Sequence, residues 1–302
     1  MKNFQEVIKK AVQGAPAVLA VVAPYDENTV SAVVMAKKEG VAEPRLFGNR
    51  QCISDALSSV GACGADYDIV ECEKPVAVAI ESIRNGECDF IMKGKVTTPA
   101  LMSACLSKSA GLNLGKSISA IAVCQIPSYG KLLAVSDPAL SIAPTLDQKI
   151  DFTQNMIQLL KALEVEIPKI ALLSSMEEVS LKIPASMDAA IITQMNRRGQ
   201  IQGAVIDGPL SFDNIVSEQS AKKKGLDSPV AGSADGIIVP NIECGNALIK
   251  SFIYFAGSTN ATIAVGAAAP IVLPSRAGAL ETKHAALAVG ALLAKQNKEV
   301  AR

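Results

Sequence analysis

Short apolar runs rich in β-branched residues alternate with amphipathic windows along most of this chain. Strands are predicted over residues 17–23, 67–71, 89–93, 118–125, 131–136, 169–174, 203–207, 236–240 and 261–265. Helical windows lie between them, over residues 28–39, 75–85, 145–163, 212–224 and 241–256. Several of the strands are apolar on both faces, as strands covered by helices on each side must be. The alternation therefore predicts an α/β fold with mostly parallel sheets.

Size and charge exclude several classes of protein. The 302 residues give room for two domains, and a 49% hydrophobic content provides a large core. Lys plus Arg and Asp plus Glu both number 29, so the chain lacks the basic excess of a nucleic-acid-binding protein. No apolar run reaches the roughly 18–20 residues of a membrane span. We expect no nucleic-acid partner and no membrane association.

The cysteines and the first residues indicate a cytoplasmic protein. The seven cysteines form no CxxC pair and their number is odd, which predicts free, buried thiols in a reducing compartment. The first fourteen residues have helical spacing and an acidic residue among lysines, which predicts an amphipathic helix rather than a signal peptide.

Small, polar and basic residues follow several predicted strands. Ligand sites of parallel α/β sheets lie off the carboxyl ends of the strands. Lys93 and Lys95 flank a glycine where the strand over 89–93 ends, and Asn241 directly follows the strand over 236–240. Ser275 and Arg276 follow an apolar stretch near residue 272. These strand ends are therefore the predicted location of the functional site.

Several common catalytic motifs are missing. His284 is the one histidine, so a His-rich metal site and a Ser-His-Asp triad supported by other histidines are excluded. His284 lies in an Ala-rich helical stretch, where a structural role is expected. Neither GxGxxG nor GxSxG occurs, and the segment 111–117 is one residue short of a phosphate loop and precedes a strand. We expect no bound metal.

The chain resembles the phosphate acetyl/butyryltransferase family, the phosphotransacylases. The resemblance is colinear from about residue 90 to the C-terminus, and its motifs together are far more specific than each alone. They are the segments 92–95, 134–138, 171–175, 207–213, 228–232 and 239–246, followed by Lys250, Ser275 and Arg276.

The resemblance implies two α/β/α domains of the isocitrate/isopropylmalate dehydrogenase type, with the active site in the cleft between them. It places residues 1–130 and 268–302 in one domain and residues 131–267 in the other. Family members are generally homo-oligomers, so a homodimer or higher homo-oligomer is expected.

The implied reaction is reversible conversion of an acyl-CoA and inorganic phosphate to an acyl phosphate and CoA. Direct transfer needs no covalent acyl-enzyme, so coenzyme A is a substrate and no tightly bound cofactor is expected. A site for these anions needs cations and N–H donors more than a protein nucleophile.

Four residues near the C-terminus are candidates for catalysis. Arg276 has the geometry for bidentate contact with phosphate, and Ser275 is expected to orient the CoA thiol or to stabilise the developing charge. Glu281 lies six residues after Ser275, where the butyryl-type branch carries an acid. The acetyl-type branch has an aspartate one position later, where this chain has Thr282. The base, Glu281 or a Thr282 hydroxyl, is left open, and a butyryl or branched short chain is the favoured acyl group.

Substrate, CoA or phosphate binding is predicted for a second group of residues. The two lysines at the end of the strand over 89–93 form one part of it, and the strand-to-helix turn near residue 241 with the following helix forms the other. The group comprises Lys93, Lys95, Asn241, Glu243, Gly245, Asn246 and Lys250.

Three alternatives stay open at this point. A phosphate acetyltransferase would use the same site with a smaller acyl group. A non-catalytic CoA-binding homologue would explain the missing aspartate at position 282. A metal- and NAD-dependent dehydrogenase on a related fold would need aspartates at metal-ligand spacing on facing helices, and no such spacing occurs.

Overall fold

Two compact α/β units make up the chain. A computed structural model describes residues 1–107, 111–274 and 278–300. The first unit comprises Phe4–Lys116 with Ala261–Arg302, and the second comprises Ser117–Asn260 with Met1–Asn3. Elements are numbered in chain order across both units.

In the first unit, mostly parallel strands form a sheet accompanied by helices. Its strands lie in the order β3-β2-β1-β4-β11-β10, and β10 is antiparallel to β11. The β1–β2, β2–β3, β1–β4 and β4–β11 pairs are parallel. The strands are β1 (Ala17–Val22), β2 (Ala42–Gly48), β3 (Asp68–Glu71), β4 (Phe90–Lys93), β10 (Thr259–Val265) and β11 (Ile271–Val272). The helices are α1 (Phe4–Ala11), α2 (Glu27–Lys38), α3 (Arg50–Ser59), α4 (Pro75–Arg84), α5 (Thr98–Leu106) and α11 (Leu280–Val300).

The second unit has the same architecture. Its strands lie in the order β5-β6-β9-β7-β8, with β5 antiparallel to β6 and the other pairs parallel. The strands are β5 (Ser119–Gln125), β6 (Leu132–Ser136), β7 (Lys169–Leu173), β8 (Val205–Leu210) and β9 (Gly236–Ile238). The helices are α6 (Leu146–Ala162), α7 (Pro184–Arg197), α8 (Phe212–Val216), α9 (Glu218–Lys223) and α10 (Ile242–Ala256). The predicted fold class, α/β with mostly parallel sheets, is confirmed.

Helix α11 packs tightly on the sheet of the first unit. Residues 283–294 are all buried, and the run of alanine and leucine in this segment lets the helix approach closely. A Cβ on Gly290 would lie 2.8 Å from Val272 Cγ2 and 3.0 Å from Phe90 Cδ2, so glycine is needed there. Neither this helix nor any other in the described ranges is long and apolar enough to cross a membrane.

Five elements are absent from the predicted ranges: β2, β11, α3, α5 and α7. Strand β2 contains Pro44, which is unfavourable inside a strand because proline has no N–H to donate to the ladder. Pro44 is tolerated because β2 pairs with β3 only from Arg45 onward, so Pro44 lies beyond the end of that ladder.

The strand predicted over residues 203–207 ends too early in the sequence prediction. Strand β8 continues through Asp207 and Gly208 to Leu210. The glycine is required by packing, because a Cβ on Gly208 would lie 2.7 Å from Leu172 Cβ on the neighbouring strand.

The compact units differ from the domains predicted from sequence at both boundaries. The prediction divides the chain after residues 130 and 267, whereas the boundaries of the compact units lie after residues 116 and 260. Strand β5 pairs with β6, which draws residues from 117 into the second unit. Strand β10 pairs with β11, which draws residues from 261 into the first.

The cysteines are free but are not all buried. Cys88, Cys105 and Cys124 are buried, whereas Cys52 and Cys63 are exposed. Burial raises the pKa of the Cys105 and Cys124 thiols to about 12, so both stay protonated at neutral pH. The expectation of uniformly buried thiols is wrong for the two exposed residues, which lie at the start of α3 and shortly after it.

A matched pair of leucines tests the core of the second unit. We expect Leu159→Ala to lower the free energy of unfolding by about 2–5 kcal/mol, because Leu159 is 0% exposed. Leu181→Ala is the control and should stay within about 0.5 kcal/mol, because Leu181 is 84% exposed. Urea unfolding followed by circular dichroism measures both. An equal loss of unfolding free energy in the two variants would contradict the burial of Leu159.

Candidate active site

A cavity of about 410 Å³ opens at the carboxyl ends of β1, β4 and β11 in the first unit. These three parallel strands lie side by side. Strand β1 leads to β2 on one side while β4 lies on the other, so the strand order reverses between β1 and β4. Such a reversal is the usual place for a ligand in an open α/β sheet, and the volume is in the range of small-molecule sites. The cavity is lined by Asp26, Asn28, Thr29, Lys93, Gly94, Lys95, Pro274 and Lys283.

The end of β4 is fixed to the end of β1 by backbone hydrogen bonds. The N–H of Gly94 donates to Val22 O at 2.9 Å, and the N–H of Lys95 donates to Ala23 O at 2.8 Å. A Cβ on Gly94 would lie 2.4 Å from both of these carbonyl oxygens, so no larger residue fits. These contacts place Lys93, which is buried, and Lys95, which is exposed, on the cavity wall.

The loop after β1 and the start of α2 supply three more lining residues, Asp26, Asn28 and Thr29. Asp26 is the N-cap of α2, and its carboxylate accepts hydrogen bonds from the Thr29 N–H at 2.9 Å and the Thr29 hydroxyl at 2.8 Å. Ala23 has a φ of 50°, a left-handed conformation that is unfavourable for residues other than glycine. Such strain is characteristic of loops that shape a site.

Lys283 also lines the cavity, and it is absent from the residues predicted by sequence. It lies in the first turn and a half of α11 and is 3% exposed. Burial lowers the pKa of its ammonium below the ordinary value of 10.5, and the carboxylate of Asp26 opposes that effect. The sequence carries one signal for Lys283. It is a lysine at the start of an apolar helical run, a few residues after Ser275 and Arg276.

The cavity favours anions. Among the described residues, its lining includes three lysines and one carboxylate. The same parts of the chain hold no group of three or more His, Cys, Asp or Glu side chains that could bind a metal ion. The side chains present are therefore suited to a phosphate-bearing ligand.

The four predicted catalytic residues are only partly placed. Ser275 and Arg276 lie outside the described residues, although Pro274 immediately before them lines the cavity. Glu281 is exposed and Thr282 is half-buried, both at the start of α11. Neither is among the described residues that line the cavity.

The other predicted binding residues lie in the second unit, at the start of α10 and, for Lys250, in the middle of that helix. Asn241 caps this helix through a hydrogen bond from the Cys244 N–H to its Oδ1 at 3.0 Å. A Cβ on Gly245 would lie 2.9 Å from Asp137 O, and Asn246 donates to Pro138 O at 3.3 Å. The turn therefore packs on the segment after β6. Glu243 and Lys250 are exposed.

A polar cluster at the ends of β7 and β8 holds the second unit's loops together. The Ser211 hydroxyl contacts the carboxylates of both Glu177 and Asp213. Lys224 Nζ lies 3.1 Å from Glu177 Oε1 and 3.2 Å from Asp213 Oδ2. The hydrogen bond from Ser211, followed by smaller effects that include Lys224, holds the pKa of each carboxyl below its usual range. These groups satisfy one another, which indicates a structural role.

His284 is buried on α11, next to Lys283 in the chain. Its Nε2 lies 3.2 Å from Glu39 Oε2. Burial lowers the pKa of the imidazole, and Glu39 partly offsets the effect. The ring faces Glu39 and is not among the described residues that line the cavity.

Comparisons with known proteins identify the family. The family described as "Phosphate acetyl/butaryl transferase" matches residues 65–291. A phosphate acetyltransferase from Thermotoga maritima is 40% identical over 293 residues, covering 96% of this chain and 100% of the relative. A phosphate butyryltransferase from Clostridium acetobutylicum is 38% identical over 297 residues, covering 97% and 99%.

Solved structures agree with the fold. A branched-chain phosphotransacylase from Enterococcus faecalis V583 matches with a TM-score of 0.80 at 26% identity, covering 92% of this chain and 99% of that one. A 4-hydroxythreonine-4-phosphate dehydrogenase from Salmonella typhimurium shares the fold at a TM-score of 0.57 and 12% identity, consistent with the predicted dehydrogenase-like architecture. The full-length sequence matches, together with the cationic cavity at the strand ends, show that the chain belongs to the phosphate acetyl/butyryl transferase family and is a phosphate acyltransferase.

Proposed function

We propose that the protein reversibly converts a short-chain acyl-CoA and inorganic phosphate to an acyl phosphate and CoA. The observation that carries the proposal is the cavity where Lys93 and Lys95 meet Pro274 at adjacent strand ends. The two lysines supply positive charge for phosphate, and family membership supplies the acyl transfer. The three lysines in the lining suit the phosphate end of the substrates.

The reaction proceeds by direct transfer. A phosphate oxygen attacks the thioester carbonyl carbon, a C–O bond forms, and the C–S bond breaks to release CoA thiolate. Cations and N–H donors stabilise the oxyanion that develops at the carbonyl. In the reverse direction the CoA thiol loses a proton, which costs roughly 2 kcal/mol at pH 7 for a thiol of pKa about 8.5. The scheme needs neither a covalent acyl-enzyme nor a tightly bound cofactor.

Roles follow for the residues near the C-terminus. Arg276 binds phosphate or acyl phosphate, and Ser275 orients the CoA thiol; both come directly after Pro274, a cavity residue. Glu281 or Thr282 assists the proton transfer. The position of both at the start of α11, the helix that carries Lys283, supports these roles.

The start of α10 is proposed to bind CoA. Lys250 and Asn246 are exposed and polar, as contacts to CoA phosphates require. Asn241 and Gly245 shape the turn that presents the helix N-terminus, and Glu243 positions neighbouring amide and ammonium groups.

A butyryl or branched short acyl chain is the favoured substrate, with acetyl as the alternative. Glu281 supports the butyryl type, because that branch carries an acid at this spacing from Ser275. The relatives include both phosphate acetyltransferases and phosphate butyryltransferases, so the acyl group is distinguished by assay.

A homo-oligomer working in the cytoplasm completes the proposal. Tyr254 and Phe255 are 77% and 92% exposed at the end of α10, and a subunit interface would remove such aromatic surface from water. All seven cysteines are free, as in a reducing compartment.

The central test is phosphate-dependent release of CoA thiol by the purified chain. Acetyl-, butyryl- and isobutyryl-CoA are compared with and without phosphate, and with a chelator in place of added metal. We expect release that requires phosphate, persists with chelator, and is fastest with butyryl- or isobutyryl-CoA. Folded protein that binds CoA without releasing thiol would instead identify a non-catalytic homologue.

Lys95→Gln tests the cavity as the phosphate site. We expect the KM for phosphate to rise by about 3- to 10-fold with little change in the KM for acyl-CoA, because an exposed cation contributes a solvent-screened contact. Lys38→Gln is the control, since Lys38 is exposed on α2 and does not line this cavity. An unchanged KM for phosphate in the Lys95 variant would place phosphate elsewhere.

Separate replacement of Glu281 and Thr282 identifies the base. We expect either Glu281→Gln or Thr282→Val to lower kcat by about 10²–10⁴-fold, the usual contribution of general-base catalysis. The other variant should stay within a few-fold of the parent. A pH profile of kcat that loses its acidic limb in Glu281→Gln assigns the role to the carboxylate, and full activity in both variants would remove both residues from the mechanism.

A further inference from the structure

Lys283 is a buried lysine that has no role in the proposed function. Its side chain is 3% exposed, yet it lines the 410 Å³ cavity with Lys93 and Lys95. Long charged side chains are almost never fully buried without a partner. Within the described ranges, its side chain makes no hydrogen bond or ion pair.

The packing of α11 holds Lys283 in place. The residues from 283 to 294 are all buried, and the Lys283 N–H donates to Ala279 O at 3.3 Å within the first turns. Seven residues further on, Gly290 packs against β4 and β11 without room for a Cβ. The helix therefore cannot turn to carry this side chain out to solvent without disrupting the sheet contacts.

The surrounding charges leave Lys283 available to a ligand. Asp26 is the one carboxylate among the described lining residues, and both of its oxygens already accept hydrogen bonds from Thr29. Lys93 and Lys95 add positive charge from the end of β4. On α11 itself, the next residue, His284, faces Glu39 instead. A dianionic ligand would balance the positive charge that these lysines bring to the cavity.

We propose that Lys283 is a phosphate-binding residue of the active site, which contacts the phosphoryl oxygens of inorganic phosphate and of acyl phosphate. The proposal rests on the proposed function and adds to it a cation from α11. Lys283 acts in binding, so its removal raises the KM for phosphate more than it lowers kcat.

Burial gives this contact a defined pH dependence. The pKa of Lys283 is lowered from 10.5 by burial, with Asp26 opposing, so the free enzyme loses this ammonium at a lower pH than an exposed lysine would. As pH rises through the lowered pKa, phosphate meets a neutral amine and binds more weakly. Among the described residues that line the cavity, the other charged groups are Asp26, Lys93 and Lys95.

The test compares Lys283→Gln and Lys283→Arg with the Lys38→Gln control. We expect Lys283→Gln to raise the KM for phosphate by roughly 10- to 100-fold, the loss expected for a charge-assisted hydrogen bond. The KM for acyl-CoA should change by less than about threefold. Lys283→Arg should restore phosphate binding in part, and its KM for phosphate should stay flat at alkaline pH where that of the parent rises, because arginine stays protonated.

A second measurement uses the unmodified protein and does not depend on variant folding. Reductive methylation with formaldehyde, mapped by mass spectrometry, reports the accessibility of each lysine. We expect inorganic phosphate to protect Lys283, Lys93 and Lys95 but not Lys38.

The outcomes separate this inference from the proposed function. A parent enzyme without phosphate-dependent thiol release overturns the proposed function. An active parent in which Lys283→Gln keeps the parental KM for phosphate, or in which phosphate protects Lys95 but not Lys283, overturns the role of Lys283 alone.

Discussion

The backbone bonds that join the end of β4 to the end of β1 are the constraint on which the candidate site depends. Gly94 and Lys95 donate to the carbonyls of Val22 and Ala23, at 2.9 and 2.8 Å. The approach is possible only because Gly94 has no side chain. This close contact places Lys93 and Lys95 near the N-cap of α2. A cavity lined by these residues therefore lies where the strand order reverses.

Helix α11 contributes Lys283 to the lining of the cavity. Burial destabilises the charged ammonium of this lysine. An ammonium removed from water is destabilised unless an anion compensates it. Asp26 provides one negative charge but is already engaged by Thr29. A cavity whose described lining holds three lysines and one carboxylate is therefore organised for an anionic ligand before that ligand arrives, which lowers the reorganisation needed on binding.

The two units use polar residues at strand ends in different ways. In the first unit, the lysines at the end of β4 line an open cavity. In the second, Glu177, Ser211, Asp213 and Lys224 bond to one another, and Asn241 caps its own helix. Position at a carboxyl end of a strand thus identifies where a site can form, whereas the surrounding packing decides whether the side chain lines a cavity or bonds to neighbouring loops.

The local sequence determined the fold class and the family of this protein. The alternation of apolar strands with amphipathic helices determined an α/β fold with mostly parallel sheets, because burial on both faces leaves a recognisable pattern, and the colinear motifs determined the family. Local patterns were insufficient for β2, whose Pro44 is tolerated only because the ladder with β3 does not reach it, and for Asp207-Gly208, where a neighbouring strand selects the glycine. Only the tertiary structure placed Lys283 beside Lys93 and Lys95. These residues are far apart in the chain, and their proximity arises from the packing of α11 against β4 and β11, which no local pattern encodes.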